Sequence, residues 1–583
     1  MSMVDAPIDE RWPFRAWLLA GLGAAIGISA WLLLTGGDGW RYSEDPVRIS
    51  GATFLVVGGI MFGFVVERRR LAWAALFALA SGIIVASVAY WSGGPDQWTD
   101  LVRWRLASAG LAIAIAAPLF QVARDQGRWR LPYEEVHRHA WTNVVMWGVA
   151  WLFVGVVWLL TFLLAALFDL IGIDLLKDVI DEGWFAHLLT GAAFGGAIGL
   201  LREWERIVGA LRRVVTAGLS VLAPVLGTAL LIFLAALPFT GLEPLWEATK
   251  STTPILLSCV IGALVLANAV IGDSPEDEAG QTPLRFGAIA LAAVLLPLAI
   301  IAAISTGLRI DQYGLTPDRL WAVVFTGIAT AWGLAYLVAL ARRRRAWAEA
   351  ARPANLRLAI GLCALALLLS TPLLSFGAIS ARDQLARLES GRTSLERFDW
   401  AALRFEFGPA GRRALERLKA SDSAAVRTKA AEALAATDRW ALAEKARTVD
   451  ARRGFAERVT VFPARTALPP ELIDAITRHS QCGAKVDVET CVVRYEPASD
   501  RAVLVHLAKQ CTECPPTVTP LRQLPSGSWG QDNEQIQPRP STEEEKRAVA
   551  RRRAAALRGE IEVRAVERSQ VFVGGEPIGP AFE

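Results

Sequence analysis

The chain has 583 residues, 53% of them hydrophobic, with 61 basic and 57 acidic side chains and a formal net charge of +4. That apolar content is too high for an ordinary soluble domain of this length, and the basic residues sit between apolar runs rather than in one nucleic-acid-sized stripe. Nucleic acid is thereby excluded as an implied partner. The excess of apolar residues stops near Leu374; beyond it charge returns every few residues, so the main compositional boundary falls at 375–382. Basic residues are mostly Arg and Ala is abundant, the usage of a high-GC bacterial genome.

A hydrocarbon layer needs roughly twenty apolar residues per helix, because backbone groups left unpaired in lipid are costly. Such runs occur at 17–34, 49–66, 71–90, 106–120, 144–167 and 184–201, and again at 214–237, 254–271, 286–304, 320–340 and 358–374. The fourth is the shortest. Arg11 and Arg15 precede the first run, which has no clear small-residue cleavage site and so reads as a retained span rather than a signal peptide.

Alternate loops differ in charge. One set carries Arg68 to Arg70, Arg124, Arg128, Arg130, Arg138, Arg202, Arg206 and Arg342 to Arg345 among about 20 basic residues, the other about 8. Positive charge is retained on the cytoplasmic side, so eleven spans with the N-terminus inside are expected, and the odd number puts the C-terminal part outside. Trp40, Trp91, Trp141, Trp184, Trp321 and Trp347 lie near span ends, as indoles at a headgroup layer do. The acidic and apolar spacing of 169–184 suits a short amphipathic helix on the outer surface; its carboxylates read as a solvated face rather than a cation site.

Span interiors hold almost no ionisable groups; His187 and Asn268 are the main polar exceptions. Small residues recur with helical spacing at Gly21, Gly23 and Gly27, at Gly59 and Gly63, and at Gly191, Gly195, Gly196 and Gly199, which reads as packing seams. Phosphate loops, zinc-protease motifs and nucleophile elbows are absent from the sequence, so no catalytic residue, metal or cofactor is assigned.

Between the ninth and tenth runs stands Arg309-Ile310-Asp311-Gln312-Tyr313-Gly314-Leu315-Thr316-Pro317-Asp318-Arg319. Gly314 tolerates positive φ, Thr316 can cap a helix, Pro317 suits its first position and Asp318 faces the positive end of its dipole. Arg309, Tyr313 and Arg319 are left over: they either hold a lipid headgroup or fix the turn by pairing with Asp311 and Asp318. On this string the chain resembles a family of bacterial integral membrane proteins known as domain of unknown function 4153. The likeness covers roughly 193–374, with the FDWAALRFEFGPAGRRAL string at 398–415. It implies membrane residence and brings no catalytic or binding residues.

After the spans, 375–446 is patterned as amphipathic helix outside the membrane, and 447–515 as a small α+β unit with strands near 459–462, 491–495 and 502–507 and a helix at 470–479. A Pro/Ser/Gly/Gln-rich linker is expected at 516–541, then a charged helix and terminal strands at 542–583. Cys482, Cys491, Cys511 and Cys514 fall in the α+β unit and are disulfide candidates in an oxidising compartment. The rivals are a zinc site, for which Cys511-Thr512-Glu513-Cys514 is a proper knuckle without a matching second one, and a thioredoxin-like redox pair.

The fold class expected is therefore an all-α polytopic membrane bundle of about eleven transmembrane helices with a C-terminal extracytoplasmic α+β domain. The function expected is that of a non-enzymatic sensor, scaffold or binding protein of the bacterial cytoplasmic membrane. Its partners would be membrane lipid and, through the C-terminal domain, envelope proteins. The alternatives are a permease for a lipid-like or uncharged substrate and a membrane-embedded transferase. Reporter fusions placed after Arg70 and after Ser380 are expected to lie on opposite sides of the membrane; the same side for both would end the eleven-span reading.

Overall fold

The computed structural model describes residues 12, 14–36, 43–94, 98–241, 252–440, 442, 455, 459–464, 466–479, 489–496, 500–508, 511, 513–525, 527–531, 542–562, 569–573 and 576–582. Among these, eleven helices are long and apolar enough to cross a membrane. They are α1 (Arg15–Thr35), α2 (Pro46–Val65), α3 (Leu71–Trp91), α4 (Asp100–Gln126), α5 (Tyr133–Asp169) and α7 (Gly183–Glu203). The rest are α8 (Glu205–Thr240), α9 (Thr252–Ile271), α10 (Thr282–Tyr313), α11 (Pro317–Arg343) and α12 (Trp347–Ser370). All eleven apolar runs of the sequence are thus helical spans of an integral membrane protein. The fourth run, short as apolar sequence, extends to 27 residues because polar flanks continue the helix at both ends. The acidic segment between α5 and α7 holds a seven-residue helix, α6 (Leu175–Asp181), with no buried residue.

Glycines set the closest packing. Along the antiparallel pair α1 and α7, a Cβ built on Gly23 would collide with the Gly191 carbonyl, one on Gly27 with the His187 carbonyl, and one on Gly195 with the Leu19 carbonyl. Backbones meet directly because no side chain stands between them. Gly21, one of the small residues of the sequence pattern, faces nothing within 4 Å.

Two larger apolar cores organise the described part of the bundle. One joins α1, α2, α3, α5 and α7 through Leu19, Phe64, Val65, Ala74, Met146 and Ile198. The other joins α8 to α12 and centres on α10, where Leu291, Ala292, Leu295, Leu298 and Ala299 are fully buried. The two halves meet where α12 crosses α4, with the Cys363 thiol 3.2 Å from the Ala112 carbonyl.

Four further helices follow: α13 (Phe376–Glu389), α14 (Trp400–Phe405), α15 (Gly408–Leu418) and α16 (Ala424–Ala435). Apolar composition ends near Leu374, yet the compact unit runs on, covering Met1–Leu434. The physical reason is docking: Phe376 buries against Trp321, Leu369 and Leu101, and Gly377 lies so close to the Phe407 carbonyl that a Cβ would clash.

The second unit, Ala435–Glu583, is an α+β fold. Its sheet has the order β1 (Val459–Phe462), β2 (Glu489–Tyr495), β3 (Arg501–Ala508), β4 (Thr517–Gln523), β5 (Trp529–Gln531). β1 and β2 are parallel and the other neighbours antiparallel. α17 (Pro470–His479) makes the crossover that parallel strands require. It buries Leu472, Ala475 and Ile476 against Cys491, Val493, Tyr495, Leu504 and Trp529 on one sheet face. Val492, Val503, Val505 and Leu507 face the other way, onto Ala556 of α18 (Glu543–Leu557), so β3 is covered on both sides. α18 opens with a capping box between Thr542 and Glu545. A separate hairpin pairs β6 (Ser569–Val573) with β7 (Glu576–Phe582).

The expected linker at 516–541 needs correction, because β4 and β5 lie inside it. Proline content hid the strand. Pro520 is tolerated since β5 pairs with β4 only from Leu521 onward, leaving β4 an edge at that residue. Replacing Gly191 by Leu is expected to lower the thermal midpoint of the detergent-solubilised protein by the equivalent of about 1–3 kcal/mol or to abolish folding. Gly21→Ala is expected to leave the midpoint unchanged, and equal effects for both would contradict the seam.

Candidate functional site

The signature turn between α10 and α11 is built as a backbone loop read by a distant helix. Gly314 has φ +78° and ψ −176°, a conformation that side chains resist. Thr316 caps α11 by accepting from Arg319 N, with Pro317 at its start and Asp318 in its first turn. From α13, Gln384 Nε2 donates to the Tyr313 and Leu315 carbonyls at 3.0 and 3.1 Å, and Arg387 Nη2 donates to the Ile310 and Asp311 carbonyls, both at 2.9 Å. Asp383 accepts from Leu315 N at 2.7 Å and pairs with Arg387 at 3.5 Å.

Of the residues singled out by the sequence, Arg319 donates to the Gly314 carbonyl at 2.6 Å and lies over the Tyr313 ring at 5.3 Å. Tyr313 is exposed. Arg309 is half-buried and makes no hydrogen bond or ion pair among the described residues. Asp383, Gln384 and Arg387 went unremarked in the sequence because they stand some seventy residues away on an ordinary amphipathic helix. A Cβ at Gly314 would sit 2.6 Å from both Arg387 Nε and Gln384 Nε2.

At the arginine-rich end of the bundle, the last carbonyls of α2 have no partner within their own helix. Arg124 of α4 donates to the Val65 carbonyl and pairs with Glu67, while Arg202 of α7 donates to the Phe64 carbonyl and reaches the same Glu67 at 3.5 Å. Gln121 Nε2 adds a bond to Phe64 O at 2.9 Å and is itself held by Asn143. The Arg124 side chain is 1% exposed. A cation at a helix C-terminus is favoured by the dipole as well as by the free carbonyls.

The end of α9 is closed the same way. Arg352 of α12 donates through Nη2 to the Ile271 and Ser274 carbonyls and pairs with Glu278 at 3.2 Å. Asp273, also buried, pairs with Arg212 of α8 at 3.4 Å. Asp277 at the rim hydrogen-bonds Asp273; that bond, then burial and the neighbouring negative charge, raises its carboxyl above the usual range.

From this cap a polar network runs inward. The Tyr133 hydroxyl meets His137 Nδ1 at 2.8 Å; His137 interacts electrostatically with Asp273, Arg212 and Arg352, and Tyr133 with Asn355. Asn355 Nδ2 donates to Asn268 Oδ1 at 2.7 Å and to the Tyr336 hydroxyl at 3.0 Å, Asn268 Nδ2 donates to the same hydroxyl at 2.9 Å, and Trp332 Nε1 donates to Asn355 Oδ1 at 3.2 Å. Tyr336 is fully buried. Six elements, α5, α8, α9, α11, α12 and the loop after α9, are stitched by side chains that bond one another, as buried polar groups require. Only Asn268 stood out in the sequence.

His187, the other polar exception, donates from Nδ1 to the Gly183 carbonyl at 2.8 Å; a carbonyl only accepts, so that nitrogen carries the proton. It borders a mostly apolar cavity of about 390 Å³ between α1, α2, α5 and α7, with Ile26, Ile60, Trp151, Thr190 and Phe194 in its wall.

Among the cysteine candidates, Cys511 and Cys514 are joined by a disulfide. Cys491 is also disulfide-bonded, and Cys482 lies outside the described residues. Cys259 and Cys363, in the spans, are free thiols. Among the described residues no group of three or more His, Cys, Asp or Glu is placed to hold a metal ion.

The family profile described as Domain of unknown function (DUF4153) matches residues 52–418. The chain belongs to this family. The DUF4153 match starts inside α2 and ends on Leu418, the last residue of α15, so the family unit contains the signature turn, the helix that grips it, and both capped helix ends. No curated protein and no solved structure matches the chain.

Gly314→Val is expected to cost on the order of 1–3 kcal/mol in backbone strain alone, and Arg387→Ala about 1–3 kcal/mol for carbonyls left without a donor. Both would show as reduced folded protein by fluorescence size-exclusion chromatography. Arg309→Ala is expected to stay within about 0.5 kcal/mol of the parent. Normal abundance with a lost cellular phenotype for Arg309→Ala would favour a headgroup-binding role instead.

Proposed function

We propose that the chain is a non-enzymatic anchor and binding protein of a bacterial cytoplasmic membrane, with its N-terminus inside and residues 435–583 displayed outside. The observation that carries this reading is a disulfide-bonded α+β unit at the end of an eleven-span bundle. Three independent lines support it. Disulfides persist in oxidising compartments. Basic residues concentrate in alternate loops, among them the loops that hold Arg68 to Arg70, Arg128 and Arg130, and Arg342 to Arg345. An odd number of spans separates the two ends of the bundle.

The membrane part suits an anchor because the polar clusters described above bond chiefly to the bundle itself: arginines on helix ends, asparagines and tyrosines across helices. The surface offered to envelope partners is then that of the C-terminal unit, and lipid surrounds the bundle. A permease for a lipid-like or uncharged substrate is the second reading, favoured by the buried network of Asn268, Tyr336 and Asn355. Uptake of such a substrate by vesicles holding the purified protein, lost in Asn355→Ala, would select it.

Mass spectrometry of protein alkylated in intact cells before reduction tests the main reading. Cys491, Cys511 and Cys514 are expected to be protected and to react only after reduction. Free thiols at all three would place the unit in a reducing compartment and overturn the orientation.

A further inference from the structure

The two cysteine bridges of the C-terminal unit stand in different surroundings. Cys491 lies in β2, 1% exposed, inside the apolar face covered by α17. Cys511 and Cys514 lie in the β3–β4 connection, both half-exposed, and are separated by three positions. A bridge restrains the unfolded chain more the longer the loop it closes, so a separation of three gives close to the least stabilisation a disulfide can provide.

The connection is also held without it. β3 and β4 pair up to His506 and Thr517, next to the loop. Across the loop itself, Arg553 of α18 donates through Nη2 to the Ala508 carbonyl at 2.8 Å and through Nη1 to the Cys514 carbonyl at 3.1 Å. One guanidinium thus ties the end of β3 to the second cysteine through backbone carbonyls, without using the sulfurs. Lys546 of the same helix pairs with Glu513, between the two cysteines, at 3.5 Å and with Glu543 at 3.1 Å, a further tie between α18 and the loop.

We infer that Cys511 and Cys514 form an exchangeable redox pair, a two-electron acceptor for thiols outside the membrane, while the bridge at Cys491 is structural. This rests on the reading that residues 435–583 are extracytoplasmic. In the step, an incoming thiolate attacks one sulfur, a mixed disulfide forms, and the other cysteine leaves as a thiolate that takes a proton from water. A second thiolate from the partner then attacks the partner's sulfur, releasing the partner as a disulfide and leaving Cys511 and Cys514 as a dithiol. The pair gains two electrons and the partner loses two. The chemistry recognised is a thiolate, supplied either by a low-molecular-weight thiol or by a protein dithiol.

The experiment uses the full-length protein in detergent, equilibrated with glutathione buffers of graded composition or with dithiothreitol, then acid-quenched, alkylated and mapped by mass spectrometry. Half-reduction of Cys511 and Cys514 is expected at a ratio of reduced to oxidised thiol at least about tenfold lower than that for Cys491. Cys511→Ser or Cys514→Ser is expected to trap glutathione on the remaining sulfur. Capture of glutathione points to a small thiol as the source, and reduction by dithiothreitol alone points to a protein dithiol. The double variant Cys511→Ser/Cys514→Ser is expected to keep the parent's thermal midpoint. Equal resistance of both bridges, a large loss of midpoint in the double variant, or stoichiometric zinc on the reduced pair would overturn the inference. Alkylation in intact cells separates the two levels: free thiols throughout the unit, Cys491 included, would remove the extracytoplasmic reading, whereas protected Cys491 with a Cys511–Cys514 pair that never exchanges would remove only the redox assignment.

Discussion

A carbonyl at the end of a helix cannot bond within that helix, and where that end is buried in protein water does not replace the missing donor. Much of the polar architecture of this bundle answers that constraint. The α2 end is closed by Arg124, Arg202 and Gln121, the α9 end by Arg352, and the α10 end by Gln384 and Arg387. Each donor comes from a helix distant in sequence, so each cap is also a tertiary tie. The two at the arginine-rich end bring their own counter-charges, Glu67 and Glu278, which lowers the cost of burying a guanidinium.

These ties divide the labour with the apolar seams. Glycines at 23, 27, 191 and 195 let α1 and α7 approach to backbone contact, and the α10 core is built mainly of Leu and Ala. Apolar packing alone is weakly directional in lipid, since lipid tails are as apolar as Leu. The Asn268, Tyr336, Asn355 and Trp332 network supplies direction on the far half, because its directional hydrogen bonds join α9, α11 and α12 at defined side chains.

The spans were legible in the sequence because hydropathy reports on the medium directly, and even the short fourth run belongs to a full helix, α4. Gly314, Thr316 and Pro317 were legible as a turn because local backbone demands leave local marks. What grips the turn was not, since Asp383, Gln384 and Arg387 are ordinary polar residues on an ordinary helix until the fold sets them against it. The same holds for Tyr133, His137 and Asn355: they sit in the polar flanks of long helices, where a hydropathy reading sees only the end of a span. In the C-terminal unit, β1, β2, β3 and α17 carried their patterns openly, whereas β4 and β5 were hidden by a composition typical of linkers.

The grip of α13 on the α10–α11 turn has a mechanical side. α10 is the most buried of the described spans, and Gln384 and Arg387 hold its last turn by carbonyls rather than by flexible side chains. Carbonyls are fixed to the helix axis, so little slack lies between α13 and that axis. A force applied to α13 along the bundle is delivered to the most buried of the described spans, and α13 behaves less as a tether than as a handle on its core.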